Sequence, residues 1–227
     1  MLAAGHGSRL ESAGPKALLE VGGQPLIRHA AEQLRTAGAD PIFCVANSQV
    51  APALYGALRD EPRTHVVVKD TPSALDTFEA LLDLVGPHRF LFIAVDSLLP
   101  PEGGRMVVER LAEATAPPLV LGLVPRQPGA LGQLQAEVDA HDRVVQLATG
   151  NDSSWVTAGV YGGRSHCLPQ VPSYASAKWG LRDYLGWLVA GGTPVNAVRL
   201  PWGFDVDTAA DAALARAAWA AGSPIER

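Results

Sequence analysis

The stretch LAAGHGSRLESAGPKALL, at residues 2–19, decides how the rest of the chain is interpreted. It holds three glycines together with Arg9 and Lys16, and it shows neither the alternation of a strand nor the period of a helix. Glycines expose successive main-chain N–H groups, and the two cations beside them add positive charge, a combination that suits a polyanion such as a triphosphate. The alternative is a glycine-rich surface turn with two solvated cations.

Two common phosphate-binding patterns do not describe this stretch. A P-loop needs a Gly-Lys dipeptide, which occurs nowhere in the chain. A dinucleotide fingerprint needs a third glycine where Leu10 stands, and Gly14 and Pro15 would interrupt the helix that carries the pyrophosphate. We therefore expect a different anion-binding loop, in which Arg9 supplies a phosphate fork and Lys16 a second positive centre.

The composition is that of a globular protein with a small-molecule partner. The 227 residues are 48% hydrophobic and carry a formal net charge of -5, with no basic stripe for nucleic acid or for membrane phosphates. Cys44 and Cys167 have no metal-ligand spacing and indicate no disulfide framework. No export signal or membrane span is visible, so we expect a cytoplasmic protein with one domain, 1–227, and leave its oligomeric state open.

Apolar, β-rich segments alternate with amphipathic segments through the first half of the chain. This order predicts an α/β fold with a mostly parallel sheet and helices on both faces. Strands dominate beyond about residue 130, before an aromatic helix and an alanine-rich helix. The predicted helices are 25–38, 50–59, 71–85, 102–115, 175–192 and the C-terminal segment from 208. The predicted strands are 41–46, 64–70, 89–95, 118–124, two within 134–148, 153–163 and 195–200.

Four motifs in chain order resemble the signature of a nucleotidyltransferase family that includes sugar-1-phosphate nucleotidylyltransferases, phosphocholine cytidylyltransferases and molybdenum-cofactor guanylyltransferases. The first is LAAGHGSRL with PKALL and VGGQPLI, within residues 2–27; the others are FIAVDS (92–97), WVTAGVYGG (155–163) and GFDVDTAADAALA (203–215). The resemblance implies a three-layer α/β/α sandwich with a mixed central sheet. A Rossmann-like nucleotide half would occupy 1–125 and an acceptor half 126–227.

The resemblance also implies a reaction, the transfer of NMP from an NTP to a phosphorylated acceptor with release of pyrophosphate. Both reactants are anionic, so catalysis would consist mainly of positioning and of neutralising charge. By resemblance, Gly5, Gly7 and Ser8 donate hydrogen bonds to the phosphates, Arg9 holds the leaving pyrophosphate, and Lys16 bridges the α-phosphate and the acceptor. A general base is not needed, because the acceptor phosphate is already ionised at neutral pH.

Two carboxylates are implied as ligands of Mg²⁺. Asp96 ends a predicted strand at the carboxyl edge of the sheet, where ligands bind in such folds, although a turn aspartate is the alternative. Asp205 and Asp207 face the same way on an extended segment, and either can reach a metal. We favour Asp207, because Thr208 and Asp211 can cap the last helix without it, and Asp207 as the cap stays open. Phosphate oxygens and water would complete the octahedron.

The base of the nucleotide would be recognised by the main chain of Leu2, Ala3 and Ala4 and by two hydroxyl groups, those of Thr71 and Ser73. These two residues stand near the place that family members use to read the base. The alternative for Thr71 is a plain helix cap, with Pro72 opening the helix. The sequence does not specify which NTP is bound.

The acceptor side is less defined. Ala158 and Gly159 carry little side chain and let a ligand approach, while Lys178 and Arg182 lie about one turn apart and can meet an anion or form a solvated face. A sugar phosphate is the expected acceptor. Phosphocholine stays open, because the rings of Trp155, Tyr161 and Trp179 can either surround a quaternary ammonium or pack in the core.

Two other classes of protein share this architecture. One is a binding module that holds a nucleotide without catalysis, against which the joint presence of Arg9, Lys16, Asp96 and Asp207 argues. The other is a glycosyltransferase, which would need an Asp-x-Asp in mid-chain where this protein has Asp96-Ser97-Leu98.

The start of the chain differs from the family pattern. Family members carry several β-forming residues before the LAAG segment, whereas Met1 alone precedes it in this sequence. We therefore expect either a start further upstream or a fold that tolerates a very short first strand.

Overall fold

The computed structural model describes residues 1, 14–113, 115–127, 132–150, 152–172 and 179–221. Within these ranges the helices are α1 (Leu26–Thr36), α2 (Ala51–Ala57), α3 (Ala74–Val85), α4 (Gly103–Ala112), α5 (Leu181–Ala190) and α6 (Ala209–Ala221). The strands are β1 (Glu20–Val21), β2 (Gln24–Pro25), β3 (Ile42–Ala46), β4 (Thr64–Val68), β5 (Arg89–Ile93), β6 (Ser97–Leu98), β7 (Leu119–Pro125), β8 (Gln135–Val138), β9 (Val144–Ala148), β10 (Trp155–Arg164), β11 (Val195–Arg199) and β12 (Phe204–Asp205). A short 3₁₀ helix, Lys16–Leu18, precedes β1.

The helix α1 forms where the amphipathic pattern predicts one. Pro25 stands immediately before it, with its ring fixing φ at -68°, and Gly38 follows its end with φ at 85°, a conformation that favours glycine. Its apolar side chains repeat at helical spacing and are buried on one face. They belong to Leu26, Ile27, Ala30, Ala31 and Leu34.

The main sheet is mixed and has β10 at its centre. Its strand order is β11-β7-β10-β8-β9, and β5 also pairs with β10. β10 runs antiparallel to β5, β7 and β8, while β11 runs parallel to β7. The prediction of a mostly parallel sheet in the first half is therefore wrong in detail: β5 and β7 point the same way, but a strand from the second half lies between them. β3 and β4 form a separate parallel pair.

Helices cover both faces of the sheet, which confirms the three layers. On one face α1, α2, α4 and α6 enclose a core that includes Ile93 and Val160. On the other face α3 and α5 enclose a second core that includes Phe92 and Tyr161, whose rings stack with centroids 5.5 Å apart. Successive residues of a strand point to opposite faces, so neighbouring positions of β5 and β10 serve different cores.

The first residue lies alongside β3. The Met1 amino group donates to the Phe43 carbonyl at 2.6 Å, and the Val45 N–H donates to the Met1 carbonyl at 3.1 Å. Met1 is buried, and burial lowers the pKa of its amino group. Met1 thus pairs with β3 in the manner of a strand residue.

Among the described residues, none of the helices combines the length and the apolar character that crossing a bilayer requires.

Candidate active site

Lys16 opens the 3₁₀ helix that follows the glycine-rich stretch. Pro15 restricts the chain in front of it, and Ala17 is buried, so the short helix is anchored on the core. The Lys16 side chain is 15% exposed and ends between two carboxylates. Local structure thus holds this lysine in place.

The Lys16 ammonium joins two carboxylates that are far apart in sequence. Its Nζ donates to Asp96 Oδ2 at 2.6 Å and to Asp207 Oδ1 at 2.7 Å. Burial alone lowers the pKa of Lys16, but the two negative charges outweigh burial and raise that pKa above its usual value. Lys16 is therefore cationic at neutral pH, and both carboxylates point at one cationic position.

A short antiparallel ladder brings the two carboxylates together. β6 pairs with β12, with Ser97 opposite Asp205 and Leu98 opposite Phe204. Just beyond this ladder the Val206 N–H donates to the Asp96 carbonyl at 2.9 Å. Asp96 and Asp207 consequently lie at the same end of the paired segments.

Asp205 and Asp207 differ in what their side chains meet. Asp205 Oδ1 accepts a hydrogen bond from the Ser97 hydroxyl at 2.8 Å, whereas Asp207 meets Lys16. Burial, and then the negative charge of Asp96, raise the pKa of Asp205 to about 7. Of the two candidates, Asp207 is the carboxylate that faces the lysine.

The start of α6 follows the predicted capping box. The Asp211 N–H donates to Thr208 Oγ1 at 3.2 Å, and the Thr208 N–H donates to Asp211 Oδ2 at 2.9 Å. Asp211 Oδ2 also accepts from the Asp207 N–H at 3.1 Å. The Asp207 carboxylate is thus not required as the cap.

Ala158 and Gly159 lie in β10, where its register with β7 shifts between Thr157 and Tyr161. Gly159 has φ at 68°, and a Cβ on it would lie 2.0 Å from Ser97 Oγ. Ser97 thus occupies the space that we expected the missing side chain to leave for an acceptor, and the side chain of Ala158 is buried. Any contact of an acceptor with these two residues would use their main chain.

Ser73, not Thr71, is the cap of α3. The Asp76 N–H donates to Ser73 Oγ at 3.2 Å, and α3 begins at Ala74. The Thr71 hydroxyl is bonded to the Thr77 hydroxyl instead. The expectation of a helix capped by Thr71 and opened by Pro72 is therefore wrong by two positions, because the side chain of Ser73 satisfies the first turn.

Several predicted site residues lie outside the described ranges. They are Leu2, Ala3, Ala4, Gly5, Gly7, Ser8, Arg9 and Lys178. The aromatic helix α5 begins at Leu181, after Gly180 as its N-cap, and not at 175 as predicted. Arg182 lies in its first turn and donates to the Gly132 carbonyl.

The carboxylates that face Lys16 form a donor set that suits Mg²⁺. Mg²⁺ binds through one or two carboxylates and completes its octahedron with water and substrate phosphates. The described ranges contain no group of three or more His, Cys, Asp or Glu side chains that would enclose a metal without a substrate. Asp96 and Asp207 therefore fit a metal that binds together with a triphosphate.

Ser97 belongs to this arrangement and was not among the predicted site residues. It is 3% exposed and contacts both the Asp205 carboxyl and the space beside Gly159. The one feature of the sequence that could have indicated a role for Ser97 is its position directly after Asp96, shortly beyond the end of β5. Its partners are distant in sequence, so local patterning did not reveal them.

The model of the MobA-like NTP transferase domain family matches residues 1–188. The chain belongs to this family. The matched residues include Lys16, Asp96 and β10. The match confirms the resemblance to the nucleotidyltransferase family that the sequence motifs indicated.

Three relatives illustrate the likeness. The bifunctional protein GlmU of Paracoccus denitrificans (strain Pd 1222) is 28% identical over 159 residues, 68% of this chain, and this chain spans 34% of GlmU. The 2-C-methyl-D-erythritol 4-phosphate cytidylyltransferase of Nocardia farcinica (strain IFM 10152) is 27% identical over 227 residues, 98% of this chain and 74% of that protein. The inositol-1-phosphate CTP transferase from T. maritima has a solved structure that superposes on this protein with a TM-score of 0.78. The superposition covers 92% of this chain and 89% of that one, at 20% sequence identity. The last comparison confirms the fold.

Proposed function

We propose that this protein transfers NMP from an NTP to a phosphorylated sugar or a related polyol phosphate, with release of pyrophosphate. The observation that carries the proposal is the convergence of Lys16, Asp96 and Asp207, with Nζ–O distances of 2.6 and 2.7 Å. A lysine that neutralises two carboxylates beside a glycine-rich stretch suits a site that exchanges this ion pair for a metal and a triphosphate.

The reaction sets the roles of the residues. An oxygen of the acceptor phosphate forms a bond to the α-phosphorus of the NTP, the bond between that phosphorus and the bridging oxygen to the β-phosphorus breaks, and pyrophosphate leaves with the electron pair. Lys16 would lie between the α-phosphate and the acceptor phosphate, where it stabilises negative charge on the five-coordinate phosphorus. Asp96 and Asp207 would hold Mg²⁺, which neutralises charge on the triphosphate.

The loop and the base-recognition residues complete the nucleotide half, which we assign to 1–125 of a single domain. Gly5, Gly7 and Ser8 would donate to the phosphates and Arg9 would bind the leaving pyrophosphate. Leu2, Ala3 and Ala4 would contact the base through the main chain, together with the hydroxyls of Thr71 and Ser73, which precede the first turn of α3. The acceptor half, 126–227, would contribute the main chain of Ala158 and Gly159 and the Lys178 ammonium.

The aromatic side chains favour a sugar or polyol phosphate over phosphocholine. Tyr161 is buried and stacks on Phe92 in the core. The Arg199 guanidinium lies 5.2 Å from the centroid of Trp155, so a cation already faces that ring. Trp179 packs against Trp187 of α5. Each of the three candidate rings therefore has a partner within the fold, and two of the named relatives act, by name, on polyol phosphates.

A pyrophosphate-release assay tests the proposal. Each common NTP is combined with Mg²⁺ and a panel of sugar, polyol and choline phosphates, and we expect release in one NTP–acceptor combination and none without acceptor. Lys16→Ala should lower turnover by about a hundredfold, the effect of losing one pre-positioned charge at a developing anion. Lys69→Ala, at an exposed lysine of the same half, is the control.

Two outcomes would contradict the proposal. Tight NTP binding without turnover for any acceptor would support the non-catalytic binding module instead. Equal turnover in Lys16→Ala and the wild type would remove Lys16 from the mechanism. Mg²⁺ as the metal and a cytoplasmic location stay predictions.

A further inference from the structure

Ser97 connects β6 and β12, the two short strands beside which the candidate metal ligands Asp96 and Asp207 lie. It lies opposite Asp205 in the β6–β12 ladder, and its hydroxyl donates to Asp205 Oδ1 at 2.8 Å. The residue is 3% exposed, so water does not compete freely for this bond. The link therefore adds a side-chain bond to a ladder that is two residues long on each strand.

A third segment, β10, fixes the position of the Ser97 side chain. The Gly159 carbonyl accepts a hydrogen bond from the Ala94 N–H at 2.8 Å, which holds β10 against the turn before Ser97. A Cβ on Gly159 would lie 2.0 Å from Ser97 Oγ and 3.0 Å from Ser97 Cβ. Glycine at this position is thus a steric condition for the hydroxyl to reach Asp205.

We propose that Ser97 and Asp205 are positioning residues that fix the separation of the Asp96 and Asp207 carboxylates. Asp96 immediately precedes Ser97, and Asp207 follows Asp205 by two residues, so a change in the pairing of Ser97 with Asp205 moves both ligands. This inference rests on the proposed function, in which the two carboxylates bind Mg²⁺.

The contacts of Asp205 separate this role from that of a metal ligand. Asp205 accepts the Ser97 hydroxyl, while Asp207 is the residue whose Oδ1 meets the Lys16 ammonium at 2.7 Å. An asparagine at 205 keeps an oxygen that accepts from Ser97, so a positioning residue tolerates Asp205→Asn. A residue that holds the metal by its charge does not.

The test compares Mn²⁺ binding to the full chain by calorimetry and hydrogen exchange of the Val206 amide, which is bonded to the Asp96 carbonyl. Ser97→Ala should weaken Mn²⁺ binding by about tenfold or more, in the range for loss of a residue that orients a ligand, and should speed exchange at Val206. Asp205→Asn should stay close to the wild type in both measurements, whereas Asp207→Asn should lose Mn²⁺ binding without faster exchange. The matched control is Ser165→Ala, which removes a partly buried hydroxyl just after β10 that donates to the Gly86 carbonyl.

The outcomes separate the two proposals. Wild-type Mn²⁺ affinity and exchange in Ser97→Ala would overturn the positioning role and leave the proposed function intact. A loss in Asp205→Asn as large as in Asp207→Asn would also overturn it, and this variant decides the question even if Ser97→Ala does not fold. Failure of the wild type to bind Mn²⁺, with or without an NTP, would overturn the proposed function and this inference with it.

Discussion

His29 shows how a single buried side chain makes stability depend on pH. It is 7% exposed on α1, and its Nε2 lies 2.8 Å from the Val21 carbonyl while its Nδ1 lies 3.0 Å from Gln24 Nε2. The carbonyl can accept only, so Nε2 carries the proton and Nδ1 accepts from the glutamine amide. Burial lowers the pKa of His29, because the imidazolium would lose its hydration, and this loss outweighs the hydrogen bond to the Val21 carbonyl, which favours the charged form.

The pH dependence follows from the direction of that shift. The folded-state pKa lies below the unfolded value of 6.5, so the unfolded chain binds the proton first as the pH falls. We expect the free energy of unfolding to decrease below about pH 6.5, with a contribution from His29 of at most about 1.4 kcal/mol per pH unit. Urea denaturation of the wild type and of His29→Gln at a series of pH values from neutral to below about pH 6.5 measures this decrease. The variant should be less stable at neutral pH but lose less stability on acidification, and equal slopes would contradict the assignment.

The sequence did not predict the ion pair of Lys16 with Asp96 and Asp207, because it assigned Lys16 to the phosphates and the carboxylates to a metal. The motifs predicted all three residues, and Thr208 with Asp211 correctly indicated a cap that does not need Asp207. Ser97 was not accessible, because its chemistry depends on Asp205 and Gly159, 108 and 62 positions away in the chain. Neither contact can be inferred from the residues next to Ser97 in the sequence.

At the scale of elements, the turn between β1 and β2 depends on a helix from the other end of the chain. Gly22 and Gly23 both have positive φ, 62° and 81°. A Cβ on Gly22 would lie 2.1 Å from Trp219 Nε1 of α6, whereas a Cβ on Gly23 would meet nothing within 4 Å. The Trp219 ring also packs edge-on against His29, with centroids 4.7 Å apart, and Arg216 Nε donates to the Glu20 carbonyl at 2.8 Å.

This pair of glycines gives a matched experiment. Gly23→Ala should cost only the strain of a left-handed alanine, about 1 kcal/mol, whereas Gly22→Ala adds the displacement of Trp219 and should lower the melting temperature further. Thermal unfolding measures both variants. In the Trp219→Ala background the difference between them should shrink, and an unchanged difference would show that the Trp219 contact does not limit Gly22.

Element boundaries were predicted where the local signal was strong and missed where two signals competed. Pro25 and Gly38 bracket α1 as expected, because both act through their own φ. Thr71 and Ser73 are both acceptable caps by type, but the Thr71 hydroxyl is bonded to that of Thr77, six positions further on, and Ser73 caps α3. The aromatic segment continued the helical pattern upstream of Leu181, yet Gly180 is the N-cap of α5.

At the scale of the whole molecule, the candidate site joins parts of the chain that have no local connection. Lys16 meets a carboxylate 80 positions away and another 191 positions away. A metal and a triphosphate that bind here would hold these segments together, and a ligand that binds only the folded state stabilises it by about 2.7 kcal/mol at a concentration of 100 Kd.

We therefore expect the cognate NTP with Mg²⁺ to raise the melting temperature of the wild type. The same mixture should not raise that of the double variant Asp96→Asn/Asp207→Asn, because its metal-binding charge is gone. Differential scanning calorimetry with NTP alone, Mg²⁺ alone and both together makes the comparison. A full shift in the double variant would mean that NTP binding does not depend on these carboxylates.

The sequence by itself determined the local properties of this protein. Alternating and helical periods set the order and type of the longer elements, because each depends on side chains a few residues apart, whereas the two-residue strands β1, β2, β6 and β12 were not predicted. The resemblance of four motifs to the nucleotidyltransferase family singled out Lys16, Asp96 and the Asp205–Asp207 segment. The family and its three-layer architecture followed from these features.

Only the tertiary structure decided how distant segments meet. β10 lies between β5 and β7, which no local pattern specifies, since strand order depends on the packing of both faces of the sheet. That packing places the Asp207 carboxylate against Lys16 and the Asp205 carboxyl against Ser97. The sequence alone does not distinguish the two aspartates, because they are two residues apart on an extended segment. The physical reason is that a side chain's direction follows from its own strand, whereas its partner is set by whichever segment the whole fold brings beside it.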